Sequence, residues 1–131
     1  MQRDGLSPVA LIVHPDGGAR ATIRRSLRSA GFQAVAVDTF DAARHLLELE
    51  PVDVLVTEAR LGDFHGLHLV LLARSGNPAV FAAVLTDERD DVLERDVERA
   101  GGVLLVGDHV EAIMAHIERM SLPPAGGGNV Q

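Results

Sequence analysis

The sequence predicts an α/β protein in which five strands alternate with five helices, the strands forming one parallel sheet covered by helices on both faces. Three observations carry this. Five short apolar runs recur at near-regular intervals along the 131 residues. Those runs are apolar at nearly every position instead of alternating, as parallel strands buried on both faces require. The segments between them carry apolar residues at helical spacing and end on glycines.

Taken in order, residues 1–7 read as an N-terminal extension, and Met1-Gln2-Arg3-Asp4-Gly5 lacks the apolar core of a secretion signal. The domain proper spans 8–121. Its first strand is Val9–Val13, followed by a helix with the stripe Ala19, Ile23, Leu27 and Ala30, closed by Gly31. Ala34–Val37 is the second strand, and Ala43, Leu46 and Leu47 mark the second helix. The third strand is Val54–Val56, and its helix stops at Gly76. Val80–Leu85 is the fourth strand, with Asp87 and Asp90 marking the start of a helix that Gly101 ends. Each of the three glycines is expected in the left-handed conformation that terminates helices. Val103–Val106 is the fifth strand; Asp108 followed by Glu111 resembles a capping box, and Val110, Ile113, Met114 and Ile117 form the last stripe. Residues 122–131, Leu122-Pro123-Pro124-Ala125-Gly126-Gly127-Gly128 and onward, have linker composition and read either as a frayed terminus or as a tether. The order βα repeated five times gives a doubly wound, flavodoxin-like three-layer sandwich.

Composition narrows the function. The length suits one domain with a single core. Cysteine is absent, which removes disulfides, thiolate nucleophiles and cysteine-ligated zinc. The net charge of −7 disfavours nucleic acid or an anionic membrane as the main partner. Arg20, Arg24, Arg25 and Arg28 share one helix, where a solvated face is the leading reading and a basic patch the other. No apolar run is long enough to span a bilayer, and the expected location is cytoplasmic. All 12 basic residues are arginine; the chain contains no lysine.

Several landmarks, in order and correctly spaced, resemble the receiver domain of bacterial two-component signalling, in an atypical, degenerate form. Gly31-Phe32-Gln33-Ala34-Val35 is similar to the receiver's turn after helix 1, and Pro51-Val52-Asp53-Val54-Leu55-Val56 to its entry into strand 3. Asp63-Phe64-His65-Gly66-Leu67 resembles the motif that opens helix 3, Leu85-Thr86 the end of strand 4, and Ala100-Gly101-Gly102 the approach to strand 5. The match runs from about Val9 to Met120 and implies the strand order 2-1-3-4-5. It also implies a site at the carboxyl ends of the strands: an acidic pair that holds Mg²⁺, an aspartate that takes the phosphoryl group, then a hydroxyl and a lysine that bind its oxygens.

This chain departs from that pattern at nearly every site position. The acidic pair falls on His14-Pro15, with Asp16 one position further on. The phosphoacceptor falls on Glu58, the lysine on Gly107, the following proline on Asp108, and the switch aromatic on Leu104; Thr86 alone survives. Proline offers no ligand and a neutral imidazole suits Mg²⁺ poorly, so no cofactor is expected. Thr86 reads either as a remnant of the site or as a hydroxyl capping the next helix. Three readings compete for Glu58. A glutamyl phosphate would place the carboxylate out of line for transfer. A built-in phosphate mimic suits its charge but lacks a cation to reward it. A remnant carboxylate, solvated or paired with an arginine such as Arg60, leads.

Two further constellations stand out. His65 and His68 have a spacing that can put two metal ligands on one helix face, although surface histidines are the leading reading. The run from Asp87 to Arg99 interleaves carboxylates and arginines at helical spacing, implying local ion pairs of a few tenths of a kcal/mol. In receivers the helix 4–strand 5–helix 5 face binds partners, so Arg89, Asp91, Glu94, Arg95, Glu98, Arg99 and Glu111 are the candidate contact residues. The leading expectation is a non-enzymatic, phosphorylation-independent interaction module with a protein partner or a homodimer on that face. The alternatives are a receiver locked active by Glu58, and a small ligand-binding or catalytic domain using His14, Asp16 and Glu58.

Overall fold

The computed structural model describes residues 8–107 and 109–119. The expected extension 1–7, the tail 122–131 and Asp108, expected at the cap of the last helix, lie outside the described residues.

The main sheet has five strands: β1 Val9–Val13, β2 Gln33–Val37, β3 Val54–Glu58, β4 Phe81–Thr86 and β5 Val103–Val106. All pair in parallel, in the order β2-β1-β3-β4-β5. The expected strand order is therefore the one observed. The helices are α1 Gly17–Ser29, α2 Phe40–Leu49, α3 Gly66–Gly76, α4 Asp91–Arg99 and α5 His109–Arg119. Among the described residues, no helix is long and apolar enough to cross a membrane.

The central strands bury both faces, which explains their unbroken apolar composition. One layer packs Leu11, Val13, Leu55, Ala82 and Val84 against α2, α3 and α4 through Ala43, Leu47, Leu69, Val70 and Val97. The other packs Ala10, Ile12, Val54, Val56, Ala83 and Leu85 against α1 and α5 through Ile23, Leu27, Ile113 and Ile117. Ala30 leaves the expected α1 stripe: it is the exposed residue that closes the helix.

Three local features differ from the sequence expectation. Gly31 and Gly101 have φ of 100° and 93°, in the left-handed region, whereas Gly76 is not among the glycines with positive φ. Gly76 lies in the last turn of α3, and the stop is Asn77, whose side chain donates to Val52 O at 2.9 Å and accepts from Ala79 N at 3.0 Å. Only Asp90 caps α4, accepting from Leu93 N at 3.0 Å; Asp87 belongs to the preceding loop. Finally, a two-stranded antiparallel hairpin, Arg60–Leu61 with Phe64–His65, stands between β3 and α3. Its strands are two residues long, too short to produce a sequence period, and Gly62 turns between them at φ 63°.

Candidate functional site

The carboxyl ends of β1, β3, β4 and β5 bring His14, Glu58, Thr86 and Gly107 to one edge of the sheet, the usual ligand edge of open α/β folds. Each is placed by backbone pairing. His14 N donates to Val37 O at 3.1 Å, and Gly107 N donates to Thr86 O at 3.2 Å. Glu58 is the last residue of β3, and the next residue, Ala59, donates to Leu85 O at 2.8 Å.

The strongest feature is a contact between residues 44 positions apart. His14 Nε2 lies 3.2 Å from Glu58 Oε1, with both side chains largely buried, at 13% and 18% exposure. The opposite ring nitrogen, Nδ1, accepts the Asp16 backbone N–H at 3.1 Å. An acceptor at Nδ1 leaves the proton on Nε2, so the neutral imidazole donates to Glu58. Glu58 therefore pairs with His14, a partner that neither expected alternative, solvation or an arginine such as Arg60, had named. The loop that carries His14 is itself fixed, because Arg20 Nη1 donates to His14 O at 2.8 Å.

Asp16 turns away from this pair. Its Oδ2 accepts the Ala19 N–H at 2.8 Å and caps α1. His14, Asp16 and Glu58 thus do not assemble as three convergent side chains. Thr86 Oγ1 exchanges hydrogen bonds with Glu88, donating to its carbonyl at 3.3 Å and accepting its N–H at 3.4 Å. Those bonds lie in the loop, and the cap of α4, one of the two readings of Thr86, belongs to Asp90. Pro15 contributes its carbonyl, 3.4 Å from Arg20 Nη1. At Gly107 φ is 90° and an added Cβ would meet nothing within 4 Å. Leu104 is half-buried against the layer that includes α4.

Beside the pair, an open cleft of about 650 Å³ separates the hairpin from the loop between β4 and α4, lined by residues including Glu58, Arg60, His65, Thr86 and Asp90. His65 is an N-cap here: its Nδ1 accepts the Leu67 N–H at 3.1 Å and starts α3. Among the described residues, no three His, Asp or Glu side chains form a group able to hold a metal. His68 instead meets Phe40 edge-on, with ring centroids 6.4 Å apart.

Burial, together with the nearby His68 and Arg60, lowers the His65 pKa, against the weaker opposing pull of Asp90 and Asp96. Burial, then Arg119, lowers that of His116. The unfolded chain consequently takes up protons at a higher pH than the folded one. Stability is expected to be flat with respect to these groups above about pH 6.5 and to fall as the pH drops below it. Urea midpoints measured across that range check this. His65→Asn, which keeps a capping side chain, is expected to remove part of the slope.

The proposed contact face is solvent-accessible in the main. Arg89, Asp91, Arg95, Glu98, Arg99 and Glu111 are exposed, and Glu94 is half-buried. The run of ion pairs expected along α4 is not formed; the pair found there is Arg89 with Asp91 at 3.5 Å, before the helix body. Sequence reasoning missed two apolar members of this face, Val92 at 62% and Val106 at 45% exposure. Val92 lies off the inward stripe of α4 formed by Leu93 and Val97, which was the available signal, whereas Val106 continues the unbroken apolar run of β5 and gave none.

No protein-family model matches the sequence, and no curated protein does. Solved structures do match. A two-component response regulator from Clostridium difficile superimposes with TM-score 0.77 at 17% identity, covering 87% of this chain and 95% of that one. The chemotaxis response regulator CheY4 of Vibrio cholerae gives TM-score 0.74 at 19% identity, over 86% and 98% of the two chains. The beryllofluoride-activated NtrC4 receiver domain dimer gives 0.73 at 16%, over 85% and 93%. At these identities the likeness establishes the fold: it is the fold of response-regulator receiver domains.

Proposed function

We propose that this chain is a receiver-fold signalling module that works through protein contact and does not accept a phosphoryl group. The observation that carries this reading is the His14–Glu58 hydrogen bond. A carboxylate that must attack phosphorus needs a neighbouring cation to offset the transferred charge. Here the carboxylate at that position is held by an imidazole N–H, at the place where an acidic pair would bind Mg²⁺. The remaining positions support the same reading: Pro15 has no side-chain ligand atom, and one oxygen of Asp16 caps α1. The position that would carry the lysine has a backbone set for glycine, since φ of 90° strains any side chain placed there. The module takes no Mg²⁺ and catalyses no reaction; it presents α4, β5 and α5 to a protein partner, as the NtrC4 receiver dimer gives precedent for self-contact in this fold.

A permanently active mimic is the weaker reading, because the Glu58 charge is answered by a neutral donor and Leu104 replaces the aromatic reporter. The two readings separate on Glu58→Gln. Glutamine keeps an acceptor for His14 but removes the charge. Oligomeric state and partner binding are expected to be the same for wild type and variant, with or without acetyl phosphate and Mg²⁺. A change in either on neutralising Glu58 establishes mimicry instead.

A further inference from the structure

We infer that α1 of one copy receives α4 of a second copy, head to tail, through complementary charge. The inference rests on the reading of α4 as a contact surface and adds its partner. Helix α1 carries four arginines and no carboxylate. Arg20 is committed to the carbonyls of His14 and Pro15, and Arg24 reaches Ala34 O at 3.4 Å through Nε alone. Arg24, Arg25 and Arg28 are exposed and frame a 440 Å³ depression floored by Ala21 and Ser29. Among the described residues, no carboxylate pairs with any of these three. Planar guanidinium groups around a small-residue floor suit carboxylate ligands.

The complement lies on the same chain. From Asp87 to Arg99 there are seven carboxylates against three arginines, a net −4, with Asp87, Glu88, Asp91, Asp96 and Glu98 exposed. Exposed Val92 sits within that surface and gives the contact an apolar centre. The two surfaces face opposite ways, since α1 packs on one side of the sheet and α4 on the other. A two-fold dimer therefore cannot satisfy both at once, and the contact is heterologous, giving a ring or a chain of copies. Copies of net charge −7 repel at long range, so the attraction is local and strengthens as salt falls only if the patches meet.

Sedimentation velocity on the whole chain tests this with two charge-reversed variants, Arg24→Glu/Arg25→Glu/Arg28→Glu and Glu88→Arg/Asp91→Arg/Glu98→Arg. Circular dichroism melts confirm that each folds. Wild type is expected to self-associate at low ionic strength and dissociate in high salt. Each variant alone is expected to associate at least about tenfold more weakly, and an equimolar mixture is expected to regain association, because the reversed surfaces fit each other. A wild type that stays monomeric at all salt concentrations overturns the inference, even if it binds polyglutamate through α1, which would assign that helix to another acidic protein. So does a mixture that regains nothing. Loss on the α4 variant with none on the α1 variant overturns the pairing while leaving α4 as a contact surface, and neither result bears on phosphoryl transfer.

Discussion

Replacing Gly66 by alanine is expected to lower stability by about 2–3 kcal/mol and to push Glu58 out of its hydrogen bond with His14. Gly66 is the first residue of α3 and lies directly beneath the end of β3. A Cβ there would collide with the carbonyl oxygen of Glu58, with Thr57 Oγ1 at 2.8 Å and with Thr57 Cγ2 at 3.0 Å. None of these neighbours can yield cheaply. Thr57 is fully buried, its hydroxyl donates to Glu58 O at 3.0 Å, and the Gly66 N–H is itself bonded to Ala59 O at 2.8 Å. The substitution therefore moves either α3 or the strand end that carries Glu58. A urea titration gives the loss, and the His14 ring resonances report the displaced carboxylate. An unchanged midpoint would show that α3 can shift freely against β3.

Leu55→Ala is expected to cost about 3–4 kcal/mol, as for other fully buried leucines truncated in a packed core. Leu55 has no exposed surface and stands in the central strand, with Leu11 and Ala82 as its sheet neighbours. Ala82, being small, cannot fill the space that the leucine vacates. Single domains are stable by only about 5–15 kcal/mol, so this change removes a large share of the total. The fall in the denaturation midpoint without a change in slope is the diagnostic result. A loss below about 1 kcal/mol would mean that the layer under α2 and α3 collapses around the gap.

The fold was legible because its strands are buried on both faces. Val9–Val13 is buried at every position, and a short, β-branched, unbroken apolar run between turn residues suits a strand buried on both faces. Strand order came from the resemblance, since nothing in the periodicity distinguishes it. What escaped the sequence depends on contacts distant in the chain or on side-chain choices between near-equivalent partners. The register that sets β1 beside β3 brings His14 to Glu58; by sequence alone Arg60, two residues away, was the nearer cation. His65 serves as a cap because its ring nitrogen can replace the usual short oxygen side chain, a substitution that capping preferences rank low. The interleaved charges of α4 were visible, but exposed pairs gain too little to hold long side chains in one geometry, and most stay apart.

A solvated remnant would leave both Glu58 oxygens open, whereas here Oε1 is held by the His14 N–H. Gly107 adds to the proposal, because a lysine there would require a changed backbone as well as a changed side chain. In the proposed reading the metal ligands, the acceptor and the cation of a phosphoryl switch are all changed together.

Intact mass after incubation with acetyl phosphate and Mg²⁺ tests the central claim most directly. The account predicts one species with the mass of the untreated chain. A stoichiometric adduct of one phosphoryl group, mapped to Glu58, would contradict it.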